Sequence, residues 1–109
     1  MYAGDLVDVM WRVLHNFNNV PNLMNVGVGS DYLVNDYYRT AAEAIGWRGR
    51  FVHYTSKPAG MKQKLVSIEL QKKWGWSAKT TIHDGIDATY DHYLRQASAL
   101  CREIQSAYS

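Results

Sequence analysis

Between Ile86 and Ala107 the apolar residues Ile86, Tyr90, Tyr93, Ala97, Leu100, Ile104 and Ala107 recur in alternating steps of four and three. Those steps keep one side of a helix apolar, and sustained over this length they form a heptad seam, weakened here by Tyr and Ala. A chain of 109 residues with such a helix at its end must fold around it or offer it to a neighbour. The spacing predicts a helix packed on its own domain, with an intermolecular seam as the alternative. Thr81 and Asp84 stand three apart just before it, as an N-cap and its N3 partner do, and fix its start.

The rest of the chain divides at its turn residues. Leu6, Val9, Met10, Val13, Leu14 and Phe17 fall at helical spacing and predict a first helix with one apolar face, stopped by Asn16, Asn18, Asn19 and Pro21. Residues 23–28 read as a short buried strand closed by Gly27 and Gly29. A second helix is expected over 34–45, with Tyr37, Tyr38, Ala41 and Ile45 as its buried side and Gly46 as its C′ residue. Residues 50–54 alternate like a strand, 56–60 form a loop punctuated by Pro58 and Gly60, and 64–66 give another short strand. Residues 68–74 form a short helix stopped by Gly75. With no internal repeat or linker, the chain reads as one domain over 1–109, α/β or α+β: several helices with short strands and no complete Rossmann domain.

Composition narrows what such a domain does. A net charge of +2 is too small to imply binding to nucleic acid or membrane. The single Cys101 excludes an intrachain disulfide and a cysteine-based zinc site, which suits a reducing cytoplasm. No apolar run is long enough to span a bilayer, and Asp5 and Asp8 follow the first residues at once, unlike a secretory leader. A soluble cytoplasmic protein is expected.

The titratable residues give few chemical constellations. His15, His53, His83 and His92 lack metal-ligand spacing and read as surface or packing residues. Asp84, Asp87 and Asp91 share a helix face but sit in the first turns, where the helix dipole favours negative charge, and Asp91 can pair with Arg95. Cys101 reads as an inert thiol on the seam. Arg48, Arg50 and the lysines of 57–64 lie beside Trp47 and Tyr54, a mixture that single-stranded nucleic-acid binders use, but no nucleic-acid fold signature accompanies it.

Three stretches carry a resemblance. Met1-Tyr2-Ala3-Gly4-Asp5-Leu6-Val7-Asp8 is similar to M-Y-V-D-D-L-A-D at a helix start. Asn25-Val26-Gly27-Val28-Gly29 is similar to N-V-G-T-G, and Gly46-Trp47-Arg48-Gly49-Arg50 follows after a helix. Ser56-Lys57-Pro58-Ala59-Gly60-Met61-Lys62-Gln63-Lys64-Leu65 is similar to S-K-P-D-G-T-P-R-K-L and continues through Trp74-Gly75-Trp76 to residues 85–94. In this order and spacing, residues 1–94 resemble the C-terminal region of the extended short-chain dehydrogenase/reductases, a family of NAD-dependent epimerases and dehydratases. The third stretch points to the GDP-L-fucose synthase branch. Residues 95–109 run past the match as a helical extension.

The resemblance implies sugar-nucleotide chemistry, with the catalytic half missing. Intact members bind NADP on a Gly-rich loop and move protons with a Ser, a Tyr and a Lys. Gly27-x-Gly29 lacks the third glycine and the βαβ setting, and no Tyr-x-x-x-Lys occurs, so no cofactor and no catalytic residue are expected here. Tyr90, Tyr93 and Tyr108 read as packing residues of the last helix. The resemblance places Lys64 at the nucleotide diphosphate and Arg50, less directly, at the substrate pocket, with Lys57 and Lys62 adding to the field. A lysine after a Gly-containing loop can set a point charge against phosphate. Ala59, Lys62-Gln63 and Ser67 depart from the family pattern around that lysine.

Two functions follow as expectations. One is an isolated domain that binds a GDP-sugar through Lys64, Arg50 and Lys57, with a possible N-terminal catalytic partner chain. The other is an oligomeric structural or interaction module that has lost the ligand. Either way, apolar surface that the absent sheet would cover predicts a homo-oligomer through the first and last helices.

Overall fold

The computed structural model describes residues 1–58, 60 and 63–107, with residue 104 described by its backbone alone. Ala59, Met61, Lys62 and Tyr108, named above for the loop and the closing helix, lie outside the described residues, as does the side chain of Ile104. Four helices follow one another: α1 (Ala3–His15), α2 (Val34–Ile45), α3 (Glu69–Trp74) and α4 (Ile82–Ala107), with one 3₁₀ turn at Phe17–Asn19.

Local chemistry sets the helix ends. At the end of α1, Asn16 turns back on the helix, its amide Nδ2 donating to the Arg12 carbonyl at 2.9 Å and its backbone N–H to that of Val13 at 3.2 Å. At the start of α2, Asp36 Oδ2 accepts the Leu33 N–H at 2.9 Å. Gly46 ends α2 with φ 71°, as the sequence predicts, and Trp47 N–H reaches back to the Ala42 carbonyl at 2.8 Å. Such a left-handed cap suits a residue without Cβ. Thr81 caps α4, its Oγ1 accepting the Asp84 N–H at 3.1 Å and donating to Asp84 Oδ2 at 2.7 Å.

The expected strands do not form. Residues 23–28, 50–54 and 64–66 are extended or irregular chain, with no ladder among the described residues. A strand exists through its partner, and three short segments that run past different helices have none to pair with. What is observed is a helical fragment.

Burial also departs from the helical patterns. On α1, Val9 alone of the six apolar positions is buried, and the inward face is Asp5, Asp8, Val9 and Arg12; Phe17, past the end of the helix, is 76% exposed. Leu6, Met10 and Leu14 face outward. On α2, Thr40 is buried and Ala41 half-buried, while Tyr37, Tyr38 and Ile45 stay exposed. That helix packs on α4, where Ile82, Ile86 and Tyr90 are half-buried. Beyond Tyr90 the seam is open, with Tyr93, Leu100 and Cys101 exposed and Ala97 half-buried. Asp91 and Arg95 make no ion pair among the described residues, where the sequence suggested one.

The buried hydrophobics among the described residues are Val9, Ile68 and Trp76. The surface of 9448 Å² is roughly half as much again as a compact monomer of this mass would expose. A radius of gyration of 18.8 Å, against about 13 Å for a compact chain of this length, says the same. The polypeptide is spread thin, about 22 Å deep along its shortest axis.

Candidate functional site

The start of α1, with Met1 and Tyr2 before it, lines one side of a cleft and is held there from below. Asp5, 8% exposed, accepts the Thr80 hydroxyl at 3.0 Å, the Thr80 N–H at 3.1 Å and, more weakly, the Lys79 N–H at 3.4 Å. One turn on, Asp8 Oδ2 accepts the Trp76 indole N–H at 2.7 Å, and the Arg12 guanidinium lies 5.0 Å from the Trp74 ring centroid. Three polar side chains thus clamp residues 74–80 to α1 and bring the starts of α1 and α4 side by side. The Tyr2 ring lies against both first turns, close to Gly4 and Gly85.

A second clamp sets the opposite wall. Gln71, fully buried, pairs its amide with the backbone of Gly27, its Oε1 accepting the Gly27 N–H at 2.8 Å and its Nε2 donating to the Gly27 carbonyl at 3.0 Å. Both polar groups of that peptide are satisfied without a strand. A Cβ on Gly27 would stand 3.1 Å from Val66 Cγ2, and one on Gly29 would collide with Ile68 Cδ1. Gly29 also has φ 81°, so the turn into Ser30 and Asp31 needs glycine both for its dihedral and for its approach to Ile68.

Between these walls lies a cleft of about 430 Å³, lined by residues 1–3, 26–32, Tyr37, 64–66, 80–82, Gly85, Ile86 and Thr89. The first residues of α1 and α4 line it, so the positive ends of two helix dipoles lie beside its space. Lys64 adds a full positive charge and makes no ion pair with any described residue. Asp31 is the carboxylate of the lining, and Tyr2, Tyr32 and Tyr37 supply phenols. Tyr32 and Tyr37 meet edge to face at 5.8 Å and 78°. No hydrogen bond among the described residues joins Lys64, Ser30 and a lining tyrosine into a proton relay. The chemistry on offer is recognition of an anion with polar and flat appendages.

Of the three candidate residues from the sequence, Lys64 lines this cleft and Arg50 and Lys57 do not. Arg50 belongs to an exposed hook in which Phe51 returns to α2, its ring 4.9 Å from Trp47 and 6.1 Å from Tyr38. Lys57 sits in the exposed turn that follows, its N–H 3.4 Å from the Tyr54 carbonyl. Asp31, Tyr32 and Tyr37 escaped the sequence reading, which said nothing of 30–33 and took Tyr37 as part of the buried side of the second helix. The available signal was an acidic and an aromatic residue directly after the Gly27–Gly29 turn.

At the Gly27–Gly29 turn the Gly27 N–H is already bonded to Gln71, Tyr32 stands where a third glycine would, and α2 begins only at Val34. A pyrophosphate needs that N–H free and the helix start adjacent.

Parts of three motif stretches, residues 1–3, 26–29 and 64–65, therefore line one cleft, and 46–50 and 74–76 do not; related proteins carry the same stretch of chain. The chain is 40% identical over 96 residues to a GDP-L-colitose synthase of Yersinia pseudotuberculosis, covering 88% of this chain and 31% of that protein. This chain is homologous to the C-terminal part of an extended short-chain dehydrogenase/reductase. A GDP-L-fucose synthase of Azorhizobium caulinodans is 37% identical over 94 residues (86% of this chain, 30% of that protein). The Escherichia coli GDP-L-fucose synthase is 30% identical over 94 residues, again 86% of this chain and 29% of that protein. The chain thus spans about 30% of the length of the curated relatives it matches. No family model and no solved structure matches it. Among the described residues of this homologue, no helix is long and apolar enough to cross a membrane.

Proposed function

We propose that this chain is the sugar-nucleotide-binding portion of an enzyme of the GDP-L-fucose or GDP-L-colitose synthase kind, and that it holds a GDP-sugar in the cleft with its diphosphate at Lys64. The supporting observation is that Lys64, singled out from the sequence for a diphosphate, lines the cleft that the starts of α1 and α4 also line. A lysine and two helix starts converge on one anion, and each bond to a charged group contributes about 1.5–3 kcal/mol. Arg50 and Lys57, outside the lining, act through their field and contribute less. NADP and the proton-moving residues are supplied from outside residues 1–109.

The same reading assigns a role to the open face of α1. Leu6, Met10, Leu14 and Trp11 are exposed together, and a patch of this kind marks a contact surface. The remainder of an enzyme of the relatives' length covers it, and in its absence a second copy does so, together with the open half of α4.

Calorimetric titration of GDP and a GDP-sugar into the purified chain tests the site. Lys64→Ala is expected to weaken binding about tenfold or more, and Arg50→Ala or Lys57→Ala about threefold or less. Absence of binding at millimolar ligand overturns the proposal and leaves an interaction module. Light scattering tests the self-association: a monomer throughout the micromolar range refutes it.

A further inference from the structure

A carboxylate in a cleft that holds a diphosphate is a liability unless it faces donors. Asp31 is such a carboxylate. It lines the cleft directly before Tyr32, its Oδ1 accepts the Tyr32 N–H at 3.0 Å, and no described residue donates to its Oδ2. Beside it, Tyr32 and Tyr37 hold each other at 5.8 Å, edge to face, with both rings partly exposed and both lining the same space. A flat ring face next to an acceptor-only group is the requirement for a base with two adjacent N–H donors on its edge. Guanine has them at N1 and N2. Adenine places an acceptor beside its amino group, and uracil flanks its single N–H with carbonyls.

We infer that Asp31, Tyr32 and Tyr37 form the base-recognition corner of the cleft: the Asp31 carboxylate accepts from the N1–H and N2–H₂ edge of guanine while the tyrosine pair stacks on the ring. This rests on the reading of the cleft as a GDP-sugar site, and it assigns the preference for guanine to residues that do not touch phosphate. It also resolves the charge conflict, because Lys64 answers the diphosphate and Asp31 answers the base. The second hollow, about 390 Å³ between α2 and α4, shares Tyr32 and Ile82 with the cleft. Its charges are turned on each other, Arg39 to Asp36 and His83 to Glu43, each at 4.0 Å.

The test is a titration of GDP, IDP, ADP and UDP into the 109-residue chain and into Asp31→Asn, Tyr37→Leu and Lys64→Ala. Asp31→Asn keeps the oxygen that accepts the Tyr32 N–H, and circular dichroism checks that helix content is unchanged. The unaltered chain is expected to prefer GDP to ADP and UDP by about tenfold or more, with IDP, which lacks the 2-amino group, between them. Asp31→Asn removes the preference without weakening UDP, Tyr37→Leu weakens the purine nucleotides by about tenfold, and Lys64→Ala weakens all four alike. Equal binding of the four by the unaltered chain, or a preference that survives Asp31→Asn, overturns the base corner while leaving the diphosphate site standing. Absence of binding by any of them overturns both.

Discussion

The face of α1 turned to residues 74–80 and the face turned away are built on opposite principles. Toward residues 74–80, α1 presents Asp5, Asp8 and Arg12, and each is met by a partner there at hydrogen-bond or stacking range. Away from them, the same helix presents Leu6, Met10 and Leu14, which meet nothing that covers them. A surface helix usually turns its apolar stripe inward and its charges out. Here the polar stripe is the one that is satisfied, and its bonds tie residues 74–80 to α1. The contrast teaches that polar clamps, more than apolar burial, hold α1 in place.

Breaking the polar clamps should be costly and breaking the outer face of α1 should not. The largest effect is expected for Trp76→Ala. It empties one of the few buried apolar positions and leaves Asp8 without its indole donor, a loss of about 3–5 kcal/mol. In a chain with so small a core this abolishes cooperative unfolding, as followed by urea denaturation with circular dichroism. Next comes Gln71→Ala, which strips the Gly27 peptide of both its partners and costs about 2–4 kcal/mol. Its sharper sign is a frayed cleft wall: fast amide exchange at Gly27, protected in the unaltered chain. Asp5→Ala follows at about 1–3 kcal/mol, since the Thr80 N–H and hydroxyl lose their acceptor. A cost under 0.5 kcal/mol for Asp5→Ala would mean that the clamp does not hold the two helix starts together.

How much of this was legible in the sequence depends on whether a signal was local. Helix ends were, because Gly46, Gly75 and the Thr81–Asp84 pair act within one turn of where they stand. Lys64 was legible through its motif and lies in the cleft. Strands were not, since 23–28 reads as a short buried strand and is instead held at Gly27 by one glutamine amide 44 positions away in sequence. The buried side of α1 was misread because apolar spacing predicts which face seeks cover, and Asp5 and Asp8 found partners at separations of 75 and 68 residues. Asp31, Tyr32 and Tyr37 carry no spacing rule at all; only the Gly29 turn brings them to the cleft.

The smallest effect tests the outer side. Leu14→Gln, at a position 69% exposed, is expected to change the stability of the monomer by no more than about 0.5 kcal/mol, because a residue already in water loses little when it becomes polar. Solubility should rise and any self-association seen by light scattering should weaken, since the apolar patch is shortened at its C-terminal end. The two readouts separate the possibilities cleanly. A stability loss near that of Asp5→Ala would mean that α1 packs its apolar stripe after all and that the polar clamp is secondary. Unchanged stability with lost association would make the outer face a surface for a partner, and the clamped side the only part of α1 that the chain needs to hold its own shape.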